Sequence, residues 1–418
     1  MAVSAVPGSG KTFTLTMLAA QLISDGQIDI ESGQQILIVT YLNASVDNFK
    51  ARISRRLEEL GLPPQNGYDV RTLHSLGLEI VRIVNGASGE GNELIVLDEA
   101  QSNRFLVLAL DNWKEAHPEL WQEFISDESP QGQARWRRTV ENTARAFIRT
   151  AKNERYRPED VLTKLEALRQ MLFQSMEEES EIAGYDPEVQ TPFLYMLAGI
   201  YNNYQAIITR QGALDFNDLI AQAADLMENR PDVQEVMRQR WPFVLEDEAQ
   251  DSVPLQEVLL SSLTGENGNW VRVGDPNQAI TSTFTAAHPR YLNAFLDRPD
   301  VVARPLPHSG RCAPKILGAA NGLVDWVCDN HPVPEVRAHA FRRQHILPTE
   351  ARDAQQNPPD HESNLVIKVY NHREDEELPK IAQLAHLYTQ RRPEQTVAIL
   401  VPTNDLGHKI SEQLDRLE

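Results

Sequence analysis

Short continuous apolar runs alternate with longer stretches of helical period over the first part of this chain. Ala2 to Ala5, Gln35 to Thr40 (QILIVT), Tyr68 to Leu73, the run ending at Glu246 and Trp270 to Val273 are brief and mostly rich in β-branched residues. Runs of this kind, apolar without alternation, are expected of strands buried on both faces of a parallel sheet. Between them the pattern predicts helices from Phe13 to Ile23 and from Ser45 to Leu60, the second stopped by Gly61 and Pro63. From Arg104 to about Leu219 the helical period dominates, which reads as a helical insertion between strands of an α/β domain. A helix is predicted from Ala313 to Val327, and the proline-containing stretch Asp329 to Asp360 reads as an exposed connector. Leu365 to Tyr370 and Thr396 to Val401 are predicted as strands with a helix between them, the start of a second α/β unit. The expected divisions are therefore 1–100, first part of an α/β domain; 101–213, helical insertion; 214–330, the α/β domain continued; 331–361, connector; and 362–418, the beginning of a second unit.

The chemistry gathers at the ends of the predicted strands, where open α/β sheets collect their ligands. Ala5-Val6-Pro7-Gly8-Ser9-Gly10-Lys11-Thr12 follows the first strand and opens the first helix. Gly8 and Gly10 let the backbone curl so that successive N–H groups face a polyphosphate, Lys11 adds a point charge, and Thr12 offers a hydroxyl to Mg²⁺. The strict motif has a glycine where Ala5 stands. Two segments then compete to supply an acidic pair, because Glu93 to Gln101 (ELIVLDEAQ) and Val244 to Asp251 (VLEDEAQD) share the same ending. The first leads straight into the helical region, whereas the second is followed by another strand ending in Gly274-Asp275. Asp247 and Glu248 are accordingly expected to carry the chemistry, with Asp98 and Glu99 structural.

With 418 residues the chain is long enough for more than one domain, and its 41% hydrophobic and 24% charged residues are ordinary for a soluble globular protein. No apolar run reaches the length of a membrane span, and Met1 to Phe13 lacks the pattern of a secretory signal, so a cytoplasmic setting without membrane is expected. Cys312 and Cys328 form no CxxC pair and read as free thiols. The formal charge of −20 means that a nucleic-acid partner has to be held by a local patch. One candidate lies between Gln133 and Arg157, where Arg135, Arg137, Arg138, Arg145, Arg149, Lys152, Arg155 and Arg157 face only Glu141 and Glu154. A solvated helix face is the alternative for this stretch.

Taken in order, the motifs resemble those of the superfamily 1 DNA helicases of the UvrD/Rep/PcrA type. GSGKT resembles the ATP loop, TYLNASVDNFKARI the TFTN-like motif, TLHSLGLEIVR the next DNA-contacting motif, and LDFNDLI the segment re-entering the first motor domain. VLEDEAQD resembles the DExQD box, GDPNQAI the GDxxQ motif, and SGRCAPKILGAAN the NYRS-type motif. The resemblance implies a RecA-like P-loop motor domain with a parallel sheet, interrupted by a helical insertion and followed by the start of a second RecA-like domain. It implies ATP and Mg²⁺ as cofactors and single-stranded DNA as partner. Lys11 would meet the β/γ-phosphates within a loop of Pro7, Gly8, Ser9, Gly10, Lys11 and Thr12; Thr12 and Asp247 would hold Mg²⁺; and Glu248 would orient the attacking water. Gln278 would sense the γ-phosphate and Arg311 would act as an arginine finger. Tyr41, Asn43, Thr72 and His74 would line the DNA track, while Arg137, Arg138 and Arg145 are candidate phosphate contacts from the basic stretch. Gly310 stands where the family has an adenine-stacking aromatic, and Thr281, Ser282 and Thr283 where it has an aromatic and arginines, Phe284 following. The family's first and last motifs lie outside this sequence, which is therefore expected to be truncated at both ends. A helicase-nuclease motor, or a degenerate module that binds nucleotide or DNA without unwinding, are the alternatives.

Overall fold

A computed structural model describes residues 1–41, 43–87, 94–177, 187–266, 268–279 and 287–417. Thr281, Ser282, Thr283 and Phe284 lie outside the described residues, as does most of the acidic stretch from Glu177 to Glu181. The chain divides into two compact units, 1–358 and 359–418.

The first unit opens with β1 (Ala2–Ala5), α1 (Lys11–Ser24), β2 (Ile36–Thr40), α2 (Asn43–Glu59), β3 (Tyr68–Thr72) and α3 (Leu73–Ala87). The insertion follows as β4 (Ile95–Val96), α4 (Glu99–Ala116), α5 (Pro118–Glu123), α6 (Pro130–Asn153), α7 (Pro158–Glu177), α8 (Pro187–Arg210) and β5 (Ala213–Leu214). The central sheet resumes with α9 (Phe216–Asn229), α10 (Pro231–Arg240), β6 (Phe243–Glu246), α11 (Pro254–Thr264), β7 (Asn269–Gly274), α12 (Arg290–Leu296) and β8 (Ala303–Leu306). Then come β9 (His308–Ser309), α13 (Pro314–Asn330), α14 (Pro334–His339) and β10 (Leu347–Pro348). Six strands form one parallel sheet in the order β3-β2-β6-β7-β1-β8. The uninterrupted apolar character of β2 follows from its position. Ile36 and Ile38 pack on one face with Leu15, Phe49 and Ile53, while Leu37 and Val39 pack on the other with Leu76, Ile80 and Leu259. The insertion has its own core, in which Trp113, Trp121, Val140, Ile148 and Tyr201 meet. The expectation of a helical insertion within a parallel α/β domain is met.

One expectation, in the second unit, needs correction. The stretch expected as a connector carries mostly exposed side chains and is held to the first unit by hydrogen bonds. Asn277 exchanges hydrogen bonds with the backbone of Arg342 (2.9 and 2.8 Å), and Asn321 does the same with Ile346 (3.0 and 2.8 Å). β10 adds to β9 as a small parallel ladder. In the second unit, α15 (Leu378–Arg391) and α16 (Asn404–Asp415) form as helices, but the segments at 365–370 and 396–401 are not strands. An extended apolar segment becomes a strand only when a neighbour takes up its N–H and C=O groups, and among the described residues no ladder reaches these two.

Candidate nucleotide site and DNA-facing edge

The motifs that follow β1, β2, β3, β6 and β7 leave the central sheet at its carboxyl edge, whereas LDFNDLI follows β5 of the separate β4–β5 pair. The loop after β1 turns through two left-handed glycines, Gly8 (φ 76°) and Gly10 (φ 88°). At Gly8 a Cβ would lie 2.7 Å from both the Arg311 Cβ and the Ser309 Oγ, so only glycine lets the loop close on the arginine turn. α1 begins at Lys11 without a side-chain cap, which leaves its first N–H groups available to an anion.

Lys11 forms an ion pair with Glu248 across the sheet edge. Gln250 binds the two neighbouring turns together, its Nε2 donating to Glu248 Oε2 at 2.8 Å and its Oε1 accepting from the Asp275 N–H at 2.9 Å. Glu248 sits in the left-handed region (φ 52°, ψ 41°), a conformation that costs about 1–3 kcal/mol for a non-glycine residue and clusters at functional sites. Asp247 N–H donates to the Val39 carbonyl at 3.0 Å, which fixes the turn to β2. Burial, reinforced by the Glu248 charge, pushes the Asp247 carboxyl up to about 6, and burial pushes Asp275 up to about 6 as well. Gln278 donates its backbone N–H to the Asp275 carbonyl at 3.0 Å, within the same cluster.

Three buried oxygens here, Ser9 Oγ, Asp247 Oδ1 and Asp275 Oδ2, have no hydrogen-bond partner within the described residues. Buried carboxylate oxygens without donors are costly, and oxygens of this kind are what a small dication takes. No group of three or more His, Cys, Asp or Glu residues among those described could form a metal cage. The unpartnered Asp247 Oδ1 fits Mg²⁺ delivered with a nucleotide, an ion commonly held by one or two carboxylates with phosphates and water completing its shell.

The first acidic pair has a different environment. β4 pairs with β5 apart from the central sheet, and Asp98 caps α4 in a capping box, accepting from Gln101 N–H at 2.7 Å while Gln101 Oε1 accepts from Asp98 N–H at 2.9 Å. At Gly310 a Cβ would lie 2.4 Å from the Gln355 carbonyl oxygen, so the connector fills the space a side chain would need.

On the β2–β3 side, the Tyr41 ring packs partly into the core and its hydroxyl donates to Gln256 Oε1 at 3.1 Å. Asn43 opens α2 and is exposed; Thr72 is buried, its Oγ1 accepting from Ser75 N–H at 3.4 Å. His74 lies 4.5 Å from the ring of Phe216, and desolvation in the surrounding cavity lowers its pKa. That cavity, about 440 Å³, is also lined by Asn103, Arg145 and Arg149. Phe216 was not singled out from sequence. Its signal was an aromatic directly after the Asp215 helix cap in LDFNDLI.

The basic stretch is less cationic than its composition. Arg137 is bidentate to Asp111 (2.6 and 3.0 Å), and Arg145 bonds Asn103 (2.8 Å) and Glu141 (2.9 Å). Buried Lys152 pairs with Asp215 (2.6 Å) and Asp218 (2.8 Å), and Arg155 with Asp225 and Glu228. Arg138 is exposed.

A parallel sheet whose first strand feeds a glycine loop and a lysine, with a neighbouring turn presenting a paired acid to that lysine, defines a RecA-like P-loop fold. A family profile described as the UvrD/REP helicase N-terminal domain matches residues 1–300, and the chain belongs to this family. It is 26% identical over 328 residues to the ATP-dependent DNA helicase PcrA of Leuconostoc citreum, covering 78% of this chain and 37% of that protein. It is 24% identical over 425 aligned positions to the ATP-dependent DNA helicase UvrD2 of Mycobacterium tuberculosis, covering 97% of this chain and 50% of the relative. DNA helicase II of Escherichia coli matches at 26% over 321 residues, 76% of this chain and 37% of the relative. The chain therefore spans half or less of the length of these curated relatives. No described helix is long and apolar enough to cross a membrane.

Proposed function

We propose that this chain forms the nucleotide-gripping part of an ATP-dependent DNA helicase or translocase that works on single-stranded DNA in the cytoplasm. The observation that carries this reading is the gathering of Lys11, Glu248, Gln250, Asp275 and Arg311 around the loop at Gly8 to Gly10, from four separate strand ends. The loop N–H groups and Lys11 bind the triphosphate, and Arg311, packed against Gly8, adds positive charge beside it. Asp247 and Thr12 would hold Mg²⁺, which would supply positive charge against the charge that develops on the phosphate. Glu248 orients the attacking water once Lys11 has turned from its carboxylate to the phosphate. Gln278, beside Asp275, reads the γ-phosphate.

Single-stranded DNA runs over the ends of β2 and β3. Asn43 and His74 meet it there, Phe216 offers an exposed ring on which any base can stack, and Arg145 and Arg138 supply charge toward phosphates. Arg137, held by Asp111, contributes least.

The test is binding of a fluorescent Mg–ATP analogue to the chain and to its Lys11→Ala and Glu248→Gln variants. Lys11→Ala should weaken binding by about tenfold or more, the worth of roughly one charge-assisted contact. Glu248→Gln should bind at least as tightly as wild type, because Lys11 is no longer held by a carboxylate, yet lower any DNA-stimulated hydrolysis by about 10²-fold or more. Unchanged binding in Lys11→Ala would refute the site.

A further inference from the structure

Beneath the catalytic turn lies a buried charged cluster that the functional reading does not use. Glu246, the last residue of β6, stands directly opposite Arg272 on β7, and both side chains are within 1% of full burial. Arg272 Nε lies 2.8 Å from Glu246 Oε2, and its Nη1 donates to Glu257 Oε2 at 2.8 Å. Ser252, fully buried, donates to Glu246 Oε1 at 3.0 Å and accepts from Arg272 Nη2 at 3.2 Å. Trp270 Nε1 donates to Glu246 Oε2 at 3.2 Å, and the Arg272 guanidinium lies 4.5 Å from the Trp270 ring centre. Tyr41, at the end of β2, reaches the cluster through its hydroxyl, 3.4 Å from Ser252 Oγ.

Stability alone gives little reason to keep such a cluster in the middle of a sheet, since a buried ion pair is often no better than well-packed apolar residues. Its position offers another. The short turn from Asp247 to Ser252 has the nucleotide-facing acids at one end and the cluster at the other. Within that turn Glu248 is left-handed and tied to Lys11, and a phosphate anion competes with Glu248 for the three donors of the Lys11 ammonium. A triphosphate that draws Lys11 toward itself would loosen its hold on Glu248, which lies in the same turn as Ser252 of the cluster.

Resting on the functional reading above, we propose that Glu246, Arg272, Glu257 and Ser252 are positioning residues that couple the nucleotide site to the Tyr41 end of β2. They contact neither ligand. Their effect is a coupling free energy, and it is reciprocal: nucleotide changes DNA affinity by the same factor as DNA changes nucleotide affinity.

The experiment measures the dissociation constant of a labelled oligothymidylate with and without Mg–adenylyl imidodiphosphate, and the converse. Wild type should show a ratio of about 5-fold or more, the lower range of allosteric coupling. Ser252→Ala, and the double change Glu246→Leu with Arg272→Met, should each leave the affinity for either ligand alone within about 3-fold and bring the ratio to about 1. If the double variant fails to fold by circular dichroism, Ser252→Ala, which removes one hydroxyl, decides. A ratio of 1 in wild type, or a wild-type ratio in the variants, overturns the coupling proposal. Wild-type protein that binds neither ligand instead overturns the functional reading beneath it.

Discussion

At the residue scale, environment separates side chains that sequence alone makes look equivalent. Asp98-Glu99 and Asp247-Glu248 share one motif, but Asp98 spends its carboxylate on a helix N-terminus while Asp247 keeps a buried oxygen unpartnered. Asp98→Ala should therefore cost about 1 kcal/mol of stability, the usual worth of an N-cap, with nucleotide affinity unchanged. Chemical denaturation alongside nucleotide titration checks both halves. His74 gives a prediction in pH. Desolvation lowers its pKa below the ordinary value, so the folded state binds fewer protons than the unfolded state as pH falls through 6.5, and stability is lost toward acid. His74→Asn should flatten the fall in melting temperature between about pH 7.5 and 5.5 that this group contributes. An NMR titration of the ring should place its midpoint below that of a free histidine.

At the element scale, the insertion is joined to the motor by a charge buried between two helices. Lys152 of α6 reaches Asp215 and Asp218 at the start of α9, with Tyr204 of α8 donating to Asp215 at 2.9 Å. Lys152→Met leaves two carboxylates without their cation and should cost about 3–5 kcal/mol, measurable by urea unfolding. The same element shows what a one-dimensional reading misses. A strand such as β2, apolar from Ile36 to Val39, was legible because both of its faces are buried. β8 was not, because its sequence, Ala-Arg-Pro-Leu, is that of an edge strand with only one neighbour. The charge excess from Gln133 to Arg157 was legible as composition, but its neutralisation was not, since Asp111, Asp215 and Asp225 are distant in sequence. At 365–370 and 396–401 the apolar pattern is present, and pairing, which pattern cannot supply, is absent among the described residues. Of the site, the loop, the acids and the arginine were readable from motif order. Gln250's role as a bridge and Phe216's exposure emerged only from folding. One consequence bears on DNA. Arg145→Glu should weaken single-stranded DNA binding and its salt dependence more than Arg137→Glu does, because Arg145 faces the cavity with His74 and Phe216, whereas Arg137 is clasped by Asp111. Fluorescence anisotropy over a range of salt concentrations resolves the two.

At the scale of the whole molecule, all three hydrophobic clusters of the described residues lie within the first unit. A polypeptide ending at Pro358 should keep a single cooperative melting transition and its nucleotide affinity, which calorimetry and titration can establish. The second unit exposes Ile367, Val369 and Leu400 almost fully, and replacing these with lysine should raise solubility without altering that transition. The central sheet manages its own rims differently. At β8 the carbonyls of Val302 and Leu306 face β1, so by alternation the nitrogen of Pro305 faces outward, where it has no hydrogen to give. At the opposite rim β3 carries Asp69 and Arg71, locked to each other at 2.7 Å and to Glu79. Neither rim offers a neighbouring molecule a clean ladder, which is a form of quarantine: the protein can reach high local concentration without its sheets fusing edge to edge.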